Sequence, residues 1–119
     1  MSFRIIVVEP ALAWIHELRK SDRETLVQIA AALDVLQVEG PALGRPLVDR
    51  VAGSNLPNLK ELRPGSKGST EVRLLFAFDP ARNAVVLVGG DKSGNWSGWY
   101  RTAIKEAEAA YQAYLEEES

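Results

Sequence analysis

Residues 71–88 constrain this chain more than any other stretch. From Glu71 to Asp79 the side chains alternate. Val72, Leu74, Phe76 and Phe78 fall on one face, and Arg73, Leu75, Ala77 and Asp79 on the other, the two-residue period of a strand. Asp79-Pro80-Ala81-Arg82-Asn83 reads as a hairpin loop. Ala84 to Val88 is an unbroken apolar run, the pattern of a strand covered on both faces.

The remaining elements are placed around this pair. Phe3 to Val8 is rich in β-branched residues and reads as a strand, closed by Pro10. Ala11 to Arg19 reads as a short helix with Leu12, Ile15 and Leu18 inward. Ser21-Asp22-Arg23-Glu24 fits a capping box opening a helix to about Glu39, with Leu26, Ile29, Ala30, Leu33 and Leu36 on its apolar face. Gly40-Pro41 stops it, so the two helices form an antiparallel hairpin. Gly40 to Asn58, with three prolines and three glycines, is the longest irregular stretch. It is too long for a plain connector, so function or mobility is expected there. Leu59 to Arg63 is a short strand, Pro64 to Thr70 a turn, and Gly89 to Gly98 a glycine-rich loop carrying Lys92 and Trp96. A last helix is expected from about Trp99 to Glu117, burying Ala103, Ile104, Ala107, Tyr111, Tyr114 and Leu115. Strands joined by short loops predict an antiparallel, meander-like sheet, and the fold class is α+β.

A length of 119 residues fits one domain. The absence of cysteine excludes a disulfide framework, a thiolate metal site and a cysteine nucleophile, and agrees with a cytoplasmic protein. The opening MSFRIIVVEP does not read as a signal peptide, and no apolar run approaches membrane-spanning length. His16 is the only histidine, so two-histidine acid/base chemistry and a zinc constellation are excluded. Ser66, Ser69, Ser93 and Ser97 look like loop residues. GGDKSGNW lacks the GxxxxGK[ST] spacing of a nucleotide-cradling loop. Glu61, Glu71, Asp79 and Asp91 are scattered carboxylates, and neither a metal nor a cofactor is expected. Charge is uneven: residues 1–40 carry a net −2, residues 41–105 a net +5 and residues 106–119 a net −5. A basic middle can attract phosphates although the whole chain is −2.

LKELRPG at 59–65, then EVRLLFAFDPARNAVVLVGGDKSGNWSGWYRTAI at 71–104, then an amphipathic C-terminal helix, resemble the HigB branch of the RelE/ParE toxin superfamily, in its phage-derived subgroup. The resemblance implies a RelE-like fold, an antiparallel sheet flanked by an N-terminal helical hairpin and a C-terminal helix. It implies a toxin held in check by a HigA-type antitoxin with a helix-turn-helix domain, so that the complex reaches operator DNA only through the antitoxin. RelE-like members cut mRNA on the ribosome without a metal, whereas ParE-like members inhibit DNA gyrase. A third reading is an inactive, antitoxin-binding regulatory module.

Carried over by position, Arg73 in EVR matches a phosphate-binding arginine. Lys60 and Arg63 match basic residues of the preceding strand, Lys92 a basic residue after the last strand, and Tyr100 a tyrosine opening the last helix. The histidines of some HigB-type toxins have no equivalent. Trp96, Trp99 or Tyr100 could hold a base by stacking. Lys92 and Tyr100 are the candidates for proton transfer, with neighbouring cations expected to lower both pKa values.

Overall fold

The computed structural model describes residues 2–65 and 68–118. The elements are β1 (Ile5–Val7), α1 (Ala11–Ser21), α2 (Arg23–Glu39), a 3-10 turn (Gly40–Ala42), β2 (Val48–Arg50), β3 (Lys60–Leu62), β4 (Val72–Phe78), β5 (Ala84–Asp91) and α3 (Trp96–Glu118). Two positions of the expected 64–70 turn, Ser66 and Lys67, lie outside the described residues. No helix among those residues is long and apolar enough to cross a membrane.

The fold is α+β, as expected, with one five-stranded sheet in the order β1-β5-β4-β3-β2. Strands β2 to β5 form the antiparallel meander. β1 departs from it by pairing parallel to β5, with Ile5 opposite Ala84. A parallel neighbour requires a long crossover, and α1, α2 and the meander supply it. β2 falls inside the stretch read as irregular. Its three residues are too few to show a period, and pairing of Val48 with Leu62 and Arg50 with Lys60 defines it. The rest of that stretch is tied down by α3: Ser54 Oγ donates to Glu108 Oε2 at 2.9 Å and the Asn55 N–H to the same oxygen at 2.7 Å.

The alternation in β4 sorts the core into two layers. Leu74 and Phe76 join Val86, Leu62, Ile29 and Leu36 beneath the α1–α2 hairpin. Leu75 and Ala77 join Val85, Leu87, Val88 and Ala107 beneath α3. A β-bulge between Leu75 and Phe76, opposite Val88 and Val86 respectively, leaves Leu87 as the extra residue. Leu87 and Val88 therefore both face α3.

Beyond the bulge β5 runs on through both glycines, which were read as loop. They are strand residues because aromatic rings lie against them. A Cβ on Gly89 would stand 2.5 Å from Trp14 Cε3 and 2.7 Å from Leu74 Cδ2, and one on Gly90 would stand 2.5 Å from Trp99 Nε1. The connecting loop shrinks accordingly, and α3 starts at Trp96 rather than Trp99.

The start of α2 also differs. Asp22, not Ser21, is the N-cap: its carboxylate accepts from the Thr25 N–H at 3.1 Å and from Thr25 Oγ1 at 2.6 Å. Ser21 is the last residue of α1 and donates to the Glu17 carbonyl at 3.1 Å. A single residue separates the helices, and only that residue leaves helical φ/ψ to act as a cap. Thr25, Ile29, Ala32 and Leu36 form the buried stripe of α2, and Ala30, expected inward, is exposed. The expected inner side of α3 is present, with Ala103, Ala107 and Tyr114 buried and Ile104, Tyr111 and Leu115 packed beside them.

The β4–β5 hairpin is fastened to α3 by Asp79. Tyr114 Oη donates to Asp79 Oδ2 at 2.7 Å, the Asn83 N–H to Oδ1 at 2.8 Å and Asn83 Nδ2 to Oδ2 at 3.0 Å. Burial alone would raise the Asp79 pKa, but these hydrogen bonds outweigh it and hold the carboxyl below its usual value. For Tyr114, burial and the Asp79 partner push the phenol up to about 12.

Two outcomes follow. A carboxylate with a lowered folded pKa stabilises above its unfolded pKa, and that stability is lost as pH falls through the folded value. Urea midpoints of the wild type should therefore decline below about pH 4. Asp79→Asn should start lower at pH 7 and show a shallower acid decline. Gly89→Ala should cost about 1–3 kcal/mol by overpacking against Trp14 and Leu74, read by thermal melting.

Candidate functional site

β3, β4, the end of β5 and the first turn of α3 bring one cluster together on the α3 face. Glu61 is its centre, with a side chain only 3% exposed. A carboxylate so placed needs partners. Arg63 donates to Glu61 Oε2 from Nε at 2.9 Å, with Nη2 at 2.8 Å from the same oxygen. Tyr100 Oη donates to Glu61 Oε1 at 2.5 Å. Arg63 reaches Asp49 Oδ2 as well, at 3.3 Å. Glu61, through its hydrogen bond and charge, is the main reason that the Arg63 pKa rises above its ordinary value.

Arg73 lies beside this pair, opposite Gly90 in the ladder. Its Nη1 donates to the Val72 carbonyl at 2.8 Å. Its Nε is 3.9 Å from Glu61 Oε2 and its Nη2 3.9 Å from Glu71 Oε2, too long for hydrogen bonds. Nε is buried with its hydrogen bond unmade. The guanidinium thus holds its charge in the cluster while one N–H stays unspent.

Lys92 completes the arrangement. Its side chain is 3% exposed, with Nζ 3.9 Å from Glu71 Oε2. Nζ also stands 3.4 Å from the centroid of the Trp96 ring and 5.3 Å from that of Tyr100. Burial first, and the Arg73 charge second, lower the Lys92 pKa. Trp96 is 55% exposed and donates from Nε1 to Glu71 Oε1 at 3.1 Å.

Tyr100 shifts opposite to the expectation from its cationic neighbours. Burial and the hydrogen bond to Glu61 push its phenol up to about 12, outweighing Arg73. It is a neutral O–H donor at neutral pH and not a base.

Of the residues singled out from sequence, Arg63, Arg73, Lys92, Trp96 and Tyr100 meet here. Lys60 does not. Its neighbour Glu61 takes the α3 face, and Lys60 turns to the other, donating to the Pro41 carbonyl at 3.4 Å over the Phe78 ring. Trp99 packs over Gly90 in the α3 layer, edge-on to Tyr100 with centroids 5.1 Å apart, rather than standing free. His16 is exposed on α1 and belongs to a surface dip with Arg19, Lys20 and Arg23.

Glu61 and Glu71 were read only as scattered acids. Glu61 had a signal: strand alternation places it on the same face as buried Leu59, where a lone charge is not tolerated. Asp91 has a local role, accepting from the Glu71 and Ser93 N–H groups at 2.9 Å each. Burial would raise its pKa, and these hydrogen bonds keep it below the ordinary value. Arg63, Arg73 and Lys92 are matched by Asp49, Glu61 and Glu71, so this cluster is close to neutral overall.

Residues 16–112 match the family model described as "Phage derived protein Gp49-like". The chain belongs to this family. The match takes in β2 to β5, α2 and every residue of the cluster. Two relatives in Mycobacterium tuberculosis bear on it further. One, named "Putative toxin HigB2", is 54% identical over 108 residues, covering 91% of this chain and 52% of the relative. The other, named "Putative toxin HigB3", is 43% identical over 114 residues, covering 96% of this chain and 95% of the relative. The chain thus spans about half the length of the first and nearly all of the second. The resemblance read from LKELRPG and EVRLLFAFD agrees with this family.

Glu61→Gln tests the electrostatic core of the cluster. The Glu61 carboxylate raises the pKa values of both Tyr100 and Lys92. In the variant both side-chain titrations, followed by NMR, should move downward, Tyr100 from about 12. Unchanged midpoints would remove Glu61 as their cause.

Proposed function

We propose that this Gp49-like chain is the toxin of a toxin–antitoxin pair, acting in the cytoplasm as a metal-independent mRNA endoribonuclease on the ribosome. The observation that carries the reading is the unspent, buried Nε–H of Arg73, set beside a lysine of lowered pKa and a neutral tyrosine. The names of both mycobacterial relatives support the toxin part of it.

In the metal-free route the 2′-hydroxyl attacks the adjacent phosphorus while the bond to the 5′-oxygen breaks. One proton must leave the 2′-oxygen and one must reach the departing 5′-oxygen. Arg73 takes the phosphate oxygens, where a fixed guanidinium stabilises the charge that develops. Lys92 is the proton-transfer group, since burial brings its amine closer to neutral pH than a free lysine. Tyr100 donates a hydrogen bond as an un-ionised phenol and is itself aimed by Glu61. Arg63, held by Glu61 and Asp49, contributes field rather than direct contact. The exposed indole of Trp96 offers a face on which a base can stack. The partner in this reading is a HigA-type antitoxin with a helix-turn-helix domain, which also carries the pair to operator DNA.

One observation favours a second reading, a non-enzymatic inhibitor of DNA gyrase. The cluster matches each of its cations with a carboxylate, which weakens its pull on a phosphate.

Controlled expression in bacteria, wild type beside Arg73→Ala, with mapping of mRNA 5′ ends, separates the readings. The wild type should arrest growth and create new 5′ ends in translated messages. Loss of one preorganised donor costs on the order of 10²–10³ in rate, so these ends should fall by about that factor in Arg73→Ala. Arrest with intact messages would favour gyrase, and growth without arrest would make the chain an inactive, antitoxin-binding regulatory module.

A further inference from the structure

A cleft of about 800 Å³ opens at the opposite end of the sheet from the Glu61 cluster, where β2 and β4 finish and β3 begins. Its volume suits a ligand site. Leu56, Phe78 and Tyr111 give it an apolar wall, and Arg50, Lys60 and Arg82 stand around it. None of these three cations forms an ion pair among the described residues. Arg50 Nη2 donates to the neutral Asn58 Oδ1 at 3.0 Å, and Lys60 Nζ to the Pro41 carbonyl at 3.4 Å.

Two carboxylates also line the cleft, one held by neutral donors and so still charged, the other spent on arginines. Asp79 accepts from Tyr114 and Asn83, and Asp49 is shared between Arg45 and Arg63. The two ends of the sheet therefore differ in kind. With Asp49 counted toward Arg63, the cluster around Glu61 is charge-balanced, while the cleft sets Arg45, Arg50, Lys60 and Arg82 against Asp79 and stays net positive over an apolar wall. Arg82 adds a conformational observation. Its φ of +67° lies in the left-handed region, where glycine or asparagine is the usual occupant. The hairpin tip holds a long cation there instead.

We propose that this cleft is a second RNA site, which grips the strand away from the point of cutting. Arg50, Lys60 and Arg82 take backbone phosphates, and Tyr111 and Leu56 provide contact for a sugar or base. The site rests on the reading of RNA as substrate. Two guanidiniums fit phosphate oxygens as forks. The three cations stand on three different segments around a concavity, which suits a bending chain of phosphates better than a straight acidic helix. β4 leads directly from Arg73 to Phe78, about 17 Å at ~3.3 Å per residue, so a short run of nucleotides can touch both ends.

The test is fluorescence anisotropy with a labelled, fully 2′-O-methylated RNA oligonucleotide, which cannot be cut, over a range of salt. The variants are Arg82→Gly and Arg50→Gln, alone and together, and Arg73→Ala. Glycine at position 82 suits the positive φ, so Arg82→Gly should melt no lower than the wild type while lacking the cation. Each lost phosphate contact should lower the salt slope by about 0.7, roughly a fivefold loss of affinity at 0.1 M salt. Unchanged affinity and slope in the double variant would overturn the site. So would binding that depends on Arg73 alone, although the cutting reading would then survive. Equally, polyglutamate binding that falls in the variants while RNA binding does not would overturn it, marking a protein-facing surface. RNA binding lost in the double variant, with message ends intact in cells, would keep the site and reject the cutting.

Discussion

Everything positioned in this molecule hangs on the pairing of β4 with β5. The two strands are buried on both faces along most of their length, so each residue must serve one layer or the other. Burying one such side chain is worth about 1.5–3 kcal/mol, and a slip of one residue would invert every assignment at once. The bulge at Leu75/Phe76 is the one place where that strict alternation is relaxed. It lets β5 give Leu87 and Val88 to the same layer and then turn two glycines toward Trp14 and Trp99. The close approach of those rings sets where α3 begins and hence where Lys92, Trp96 and Tyr100 stand.

Glu61 plays the corresponding part for the polar chemistry. A buried carboxylate is costly to desolvate, and it persists when several donors converge on it. Here Arg63 and Tyr100 bond to it and Arg73 lies just beyond bonding distance. The same contacts keep Tyr100 in its un-ionised form. Structure and chemistry are joined at this residue, since the strand order that buries Leu62 on one side also delivers Glu61 to the other.

The alternating hairpin, the helical pair and the inner face of α3 were legible because each repeats a period over several turns or residues. Arg73 was legible as a strand residue on the face of Leu75 and Ala77; Arg63, Lys92 and Tyr100 were legible as site candidates through the family resemblance, and Trp96 as a loop aromatic able to stack. Four features were not. β1 beside β5 depends on a pairing that local pattern does not encode. β2 is too short to have a period. Gly89 and Gly90 read as a loop, because glycine in a strand is justified only by rings contributed from far along the chain. Lys60 and Arg63 looked equivalent as two basic residues of one segment. In a strand, however, neighbours three apart take opposite faces, and buried Glu61 decides which of them belongs to the cluster.

The parallel pairing of β1 has a consequence for biogenesis. Ile5 leaves the ribosome well before its partner Ala84, with both helices and three strands of the sheet made in between. Until β5 emerges, β1 has no ladder to join and α1 lacks the strand on which it packs. Closing so long a loop is entropically costly and slow compared with local helix formation. Lys92 and Tyr100 follow β5 directly, so sheet closure and assembly of the Glu61 cluster fall in the same interval. A nascent chain of this kind therefore carries no assembled cluster until β5 and the first turn of α3 have both emerged.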